Sequence, residues 1–123
     1  MESNILCGTY ETKADSSGRV VIPSHLRKER VFYVTFEDKG LDLYPTNNLS
    51  DDRLEKLADS RVALDGQNRV NLSQYSHIYD IVGKSIFLLG IGSSINIMTA
   101  EDYQKYGILD ESQVRSLMDE LGI

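Results

Sequence analysis

The sequence predicts a mainly β protein with short helices (α+β), built from two copies of one unit. Three observations carry this. Asp15-Ser16-Ser17-Gly18-Arg19-Val20-Val21-Ile22 is echoed fifty residues later by Asp65-Gly66-Gln67-Asn68-Arg69-Val70-Asn71-Leu72. Each copy is followed by an apolar run, a Gly/Ser turn and a short run alternating apolar and polar residues, which is the pattern of a β-hairpin. The 123 residues match the usual size of one domain, whereas either half alone would be too small to bury much. Two repeats sharing one core follow from this, and a repeat governs the whole fold reading.

Thr9–Ala14 reads as the first strand. Asp15–Gly18 is a turn, because Asp bonds the backbone two residues on and Gly18 tolerates positive φ. Asn68 holds the equivalent place in the second copy, and Asn is the next most tolerant residue there. Pro23-Ser24 ends the second strand, and Ser24–Arg30 predicts a short helix. Phe32–Phe36 and Leu41–Tyr44 form the first hairpin around Glu37-Asp38-Lys39-Gly40. Ser50 is an N-cap with Asp51 and Asp52 at the positive end of a helix reaching about Asp59. Ser60–Leu64 leads into the second copy, whose hairpin is Ile86–Gly90 and Ile95–Met98 around Gly92-Ser93-Ser94. Thr99 with Asp102 resembles a capping box opening a helix to about Tyr106. Asp110 with Gln113 is a further cap. Val114, Leu117, Met118 and Leu121 lie at helical spacing before Gly122. That last stripe packs on the body of the protein or on a neighbouring subunit.

The start of the chain has an acid where a signal peptide needs a basic region, and no apolar run approaches the ~20 residues that span a bilayer. A cytoplasmic protein is expected. Cys7 is the only cysteine, so an internal disulfide or a multi-cysteine zinc site is excluded; a small residue near the first strand is the plain reading of it, a reactive thiol the sharper one.

The net charge is −6, which argues against a protein that coats nucleic acid indiscriminately. The charge is uneven. Lys13, Arg19, Arg27, Lys28 and Arg30 face only Asp15 and Glu29 within residues 13–30. Residues 101–120 carry Glu101, Asp102, Asp110, Glu111, Asp119 and Glu120 against Lys105 and Arg115.

Gly8-Thr9-Tyr10-Glu11-Thr12-Lys13-Ala14-Asp15-Ser16-Ser17-Gly18-Arg19-Val20-Val21-Ile22-Pro23, followed by Leu26-Arg27, resembles the opening of the MraZ family. The second Asp-x-x-x-Arg, at Asp65 and Arg69, resembles that family's second copy, and Leu41–Pro45 the strand closing its first repeat. The resemblance covers about residues 8–49 and 60–106. It departs at Ser17, where the family has Lys, and at Asn68 and Ser73, where the family has Gly and Pro. The segment between the repeats is also shorter here.

The resemblance implies a tandem swapped-hairpin AbrB-like β-barrel with pseudo-twofold repeats. Residues 1–59 would be the first swapped-hairpin repeat with its linking helix, 60–106 the second, and 107–123 a C-terminal amphipathic helix. It also implies a nucleoid-associated transcriptional regulator. Such a protein binds double-stranded DNA at repeated motifs in the promoter of the division and cell-wall gene cluster, as a homo-oligomer in the form of a ring. No cofactor, metal, membrane or small-molecule substrate is expected.

The DNA-binding candidates are Arg19, Lys13, Arg27 and Arg69, on turns built by Asp15, Gly18, Asp65 and Asn68. An Arg after a tight turn can present its planar fork to phosphate, or bidentately to guanine. It can equally fold back on its own Asp and staple the turn. The neighbouring cations favour DNA for Arg19; for Arg69 the two readings balance. One protomer making a few phosphate contacts binds weakly, and an oligomer presenting many copies gains by effective concentration.

His25 and His77 lack ligand or catalytic spacing, and neither a nucleophile elbow nor a phosphate-binding Gly-rich loop occurs. The protein is not read as an enzyme. Two alternatives remain open: an AbrB-like antitoxin that binds a toxin through its tail, and an oligomerising swapped-hairpin protein without DNA binding.

Overall fold

The computed structural model describes residues 6–36 and 40–107, the side chains of 106 and 107 excepted. The described part holds eight strands: β1 (Leu6–Lys13), β2 (Arg19–Val21), β3 (Val31–Thr35), β4 (Leu41–Pro45), β5 (Arg61–Ala63), β6 (Arg69–Asn71), β7 (Ser85–Gly92) and β8 (Ile95–Thr99). Six form one antiparallel sheet in the order β1-β7-β8-β4-β3-β5, and β2 pairs with β6 in a separate two-stranded ribbon. The protein is mainly β, with short helices.

Both hairpins follow from local patterning. β3 alternates buried Phe32 and Val34 with half-covered neighbours, and pairs with β4 through Val34 opposite Leu43. β7 and β8 pair in the same manner through Leu88 opposite Ile97. Gly40 opens β4 at φ +81°, and a Cβ there would collide with the Ile97 carbonyl oxygen. Only glycine satisfies both the backbone and the close approach of β8.

The central strands are more buried than their alternation suggests. Asp42 and Asn96, the polar residues of the pattern, are both buried. They stand opposite each other in the β4–β8 register, and Asn96 Nδ2 donates to Asp42 Oδ1 at 3.0 Å. The bond gives each residue a polar partner where a lone buried group would be costly.

Val20, Ile22, Leu26, Phe32, Leu41 and Leu43 belong to the same buried cluster as Val70, Leu72, Ile81, Ile86, Leu88, Ile95 and Ile97. Residues from both halves of the chain therefore fill one core. Each fully buried side chain of this size contributes about 1.5–3 kcal/mol relative to exposure.

Three expected helices come out shorter or altered. Ser24–Leu26 is a single 3₁₀ turn, because Arg27 leaves helical angles and the chain must be extended by Val31 to pair with Ala63. α1 (Asp51–Lys56) begins at the Ser50 cap, whose Oγ accepts the Arg53 N–H at 3.3 Å. It stops before Asp59, since Leu57 leaves helical angles and a 3₁₀ turn at Ala58–Ser60 delivers Arg61 into β5 opposite Tyr33.

Half of the Thr99–Asp102 capping box forms: Thr99 Oγ1 accepts the Asp102 N–H at 3.1 Å, opening α2 (Ala100–Asp102). Tyr79 takes the other half. Its hydroxyl accepts the Thr99 N–H at 2.8 Å and donates to Asp102 Oδ2 at 2.5 Å. Burial, then this bond to a carboxylate, push the Tyr79 phenol up from its ordinary value. A π turn follows at Tyr103–Gly107, with the Tyr103 ring stacked on Phe87 at 3.9 Å. The caps and apolar stripe expected between residues 108 and 123, and the hairpin turn at Glu37–Lys39, lie outside the described residues.

Candidate nucleic-acid interface

The two Asp-x-x-x-Arg turns share one backbone plan. Asp15 Oδ1 accepts the N–H of Ser17 at 2.9 Å and of Arg19 at 2.8 Å, while the Gly18 N–H reaches the Asp15 carbonyl at 3.0 Å. Asp65 Oδ1 accepts from Gln67 at 2.8 Å and Arg69 at 3.0 Å, and the Asn68 N–H reaches the Asp65 carbonyl at 3.0 Å. Only a short acceptor side chain can make these bonds to its own turn. The fourth residue must then take positive φ: Gly18 has +79° and Asn68 +61°.

The β2–β6 ribbon joins the turns. Arg19 pairs with Asn71, Val20 with Val70 and Val21 with Arg69. The Ile22 N–H donates to the Asn68 carbonyl at 3.0 Å, and the Leu72 N–H to the Gly18 carbonyl at 2.9 Å. Each turn is thereby tied to the end of the strand that follows the other turn. Val20 and Val70 are fully buried, so Arg19 and Arg69 emerge on the opposite, outward face.

The two arginines are held differently. Arg69 Nε donates to Asp65 Oδ2 at 2.9 Å, and its Nη1 lies 4.0 Å from Asp15 Oδ2. Arg19 has a looser ion pair, Nη1 to Asp15 Oδ2 at 3.9 Å. Its side chain is 42% exposed against 26% for Arg69, so Arg19 offers the more open guanidinium. Accepting two backbone N–H groups is the main cause that holds both Asp carboxyls below their ordinary value, and the facing arginines add to it.

The other predicted cations are placed less uniformly. Lys13 is exposed at the end of β1, opposite Ser85. Arg27 is half-buried, and its Nε is buried without a hydrogen-bond partner, so part of this side chain packs inward.

Two further cations stand at the turns. The Ala14 N–H donates to the Lys84 carbonyl and the Gly83 N–H to the Asp15 carbonyl, both at 3.0 Å, which sets the Lys84 backbone beside the first turn, while its Nζ lies 3.8 Å from Asp80 Oδ2. Arg30 Nη2 donates to the Asp65 carbonyl at 3.1 Å at the second. Arg30 was visible in the cationic stretch of residues 13–30. Lys84 gave no signal, since only the fold brings it near Asp15. Among the described residues no group of His, Cys, Asp and Glu could hold a metal ion, and no helix is long and apolar enough to cross a membrane.

A paired set of Asp-x-x-x-Arg turns on one ribbon is the feature the sequence resemblance rests on, and whole-chain comparison agrees with it. The MraZ transcriptional regulator of Clostridium tetani is 30% identical, over 94% of this chain and 98% of its own. That of Caldicellulosiruptor saccharolyticus is 30% identical over 97% of this chain and all of its own. The chain belongs to the MraZ family of transcriptional regulators. The MraZ regulator of Finegoldia magna is likewise 31% identical, over 79% of this chain and 82% of its own. No family model matches the sequence.

Proposed function

We propose that this MraZ-family protein regulates transcription by binding double-stranded DNA as a homo-oligomer, a ring by family analogy. Its sites are repeated promoter motifs of the division and cell-wall gene cluster. The observation that carries this is the β2–β6 ribbon, which sets Arg19 and Arg69 on one outward face with two Asp-built turns behind them. Arg19 is the principal contact, with Lys13 and Arg27 as further contacts and Arg69 contributing less. The protein acts in the cytoplasm at the nucleoid.

The architecture proposed with it is a tandem swapped-hairpin barrel: residues 1–59 and 60–106 form two pseudo-twofold repeats, and 107–123 an appended helix. The strand partners support this. β1 joins β7 of the other half, and β5 joins β3; β2 with β6, and β4 with β8, pair counterpart with counterpart. Exchanging the halves reproduces the same pairing list.

A second reading has support of its own. Asp15 and Asp65 balance Arg19 and Arg69, and the chain carries a net −6, as an oligomerising protein without DNA binding would. Titration of a fluorescent promoter duplex against salt separates the two. The DNA-binding reading expects affinity that falls with salt, and weaker binding by Arg19→Ala than by Arg69→Ala. Absence of binding at low salt by a folded oligomer would leave the second reading standing.

A further inference from the structure

The outward face of the β2–β6 ribbon carries more than its arginines. Alternation along each strand turns Val20 and Val70 inward, so Arg19, Val21, Arg69 and Asn71 share the other face. Val21 stands opposite Arg69, and Asn71 opposite Arg19. Val21 is 49% exposed, an apolar side chain left in solvent between charged ones. Asn71 is exposed, and its Oδ1 accepts the Ser73 N–H at 2.9 Å, which fixes the amide and leaves its Nδ2 as the outward donor group.

We propose that this face enters the major groove of B-DNA, and that Val21 and Asn71 set which bases the protein prefers. The inference rests on the DNA-binding reading above and adds the residues that would give it sequence preference. A two-stranded β-ribbon fits the major groove, which is about 12 Å wide. Opposed residues on one face lie about 5 Å apart and alternate residues about 6.7 Å, so the four side chains span roughly two base-pair steps.

The charge on this face favours bases over phosphates. Asp15 and Asp65 lie against the two arginines, so the cluster of four is neutral overall. A neutral cluster gains little from counterion release. A guanidinium aligned by a carboxylate still presents its free N–H edge to guanine O6 and N7. Beside it, Val21 offers methyl groups to the C5-methyl of thymine. Asn71 Nδ2 donates to a major-groove acceptor: purine N7, guanine O6 or thymine O4.

The test uses the full-length chain and a pool of randomised duplex DNA, followed by titrations on the selected site. Val21→Ala removes the methyl contact. Asn71→Asp retains an Oδ1 for the Ser73 N–H but replaces the outward donor with an acceptor. Both positions are exposed, and each variant should melt within a few degrees of the parent.

The expected result has two parts. One thymine of the parent's site, replaced by deoxyuridine, should weaken parent binding by about fourfold, the worth of one methyl, and leave Val21→Ala indifferent. Asn71→Asp should shift the preference at one position toward cytosine, whose N4 amino group donates, by roughly fivefold or more. If the parent selects a site and both variants select the same one with unchanged base preferences, DNA binding stands and this inference is overturned. If the parent binds no duplex at low salt, the DNA-binding reading fails and the inference falls with it.

Discussion

Arg69 spans the two turns: its Nε holds Asp65 of its own turn at 2.9 Å, while its Nη1 lies 4.0 Å from Asp15 of the other. Arg19 makes no matching contact with Asp65 among the described residues. Near-identical motifs therefore carry unequal work. The arginine of the second repeat braces the pair of turns, and that of the first is left more open.

This asymmetry predicts different costs for the two alanine variants. Arg69→Ala should lower thermal stability slightly, by up to about 1 kcal/mol, because its ion pairs are partly exposed. Arg19→Ala should leave the melting temperature near the parent's and weaken promoter binding by more than Arg69→Ala does. Calorimetry paired with DNA titration reads both quantities. A sharp loss of stability in Arg19→Ala, with normal binding by the surviving folded protein, would make Arg19 the staple.

Acid stability should depend on the turn carboxylates. Both are held below their ordinary value of 3.8, so near that pH the unfolded chain binds more protons than the folded one. Their contribution is complete at neutral pH. It is lost as pH falls below about 4 toward the lowered folded values. Asp15→Asn and Asp65→Asn keep an oxygen for the turn N–H groups but do not titrate, so each should flatten the acid limb of a stability–pH curve. An unchanged acid limb in the double variant would show that these groups are not linked to folding.

The positive-φ positions should respond unequally. Gly18→Ala puts a Cβ at φ +79°, within 3.1 Å of the Ser73 backbone, and should destabilise by roughly 1–2 kcal/mol. Asn68→Gly relieves the same strain and should be near neutral. Urea unfolding with an unchanged m-value would report both. A neutral Gly18→Ala would mean that the first turn relaxes to another shape.

The buried pair at the centre of the sheet gives a fourth stability test. Asn96→Ala removes the donor to Asp42 Oδ1 and should cost roughly 1–3 kcal/mol. If thermal unfolding shows no loss, the Asp42–Asn96 bond is not supporting the sheet.

The sequence by itself determined what is decided within a few residues. An Asp followed by turn-formers and an Arg closes its own backbone through Oδ1, with Gly18 or Asn68 at the one position that needs positive φ, so both turns were legible. The hairpins were legible because alternation and Gly/Ser turns are local signals. The Ser50 cap was legible for the same reason. The family too was within reach of the sequence, because its signature is a spaced repeat of such a turn.

Tertiary structure decided everything that depends on which strand meets which. The pairing of β2 with β6 puts Arg69 beside Asp15, and the entry of the chain into the first turn from β1 puts Lys84 there. Residues so far apart in sequence leave no shared periodicity to read. The Asp42–Asn96 pair was hidden for the same reason: each looks like the solvent side of a strand until β4 and β8 lie side by side. Helix lengths also yielded to tertiary demands. Ser24–Leu26 and Asp51–Lys56 end where β3 and β5 must begin, because a strand missing its partner leaves a row of backbone groups unbonded, and the gain from one more helical turn is smaller than that cost.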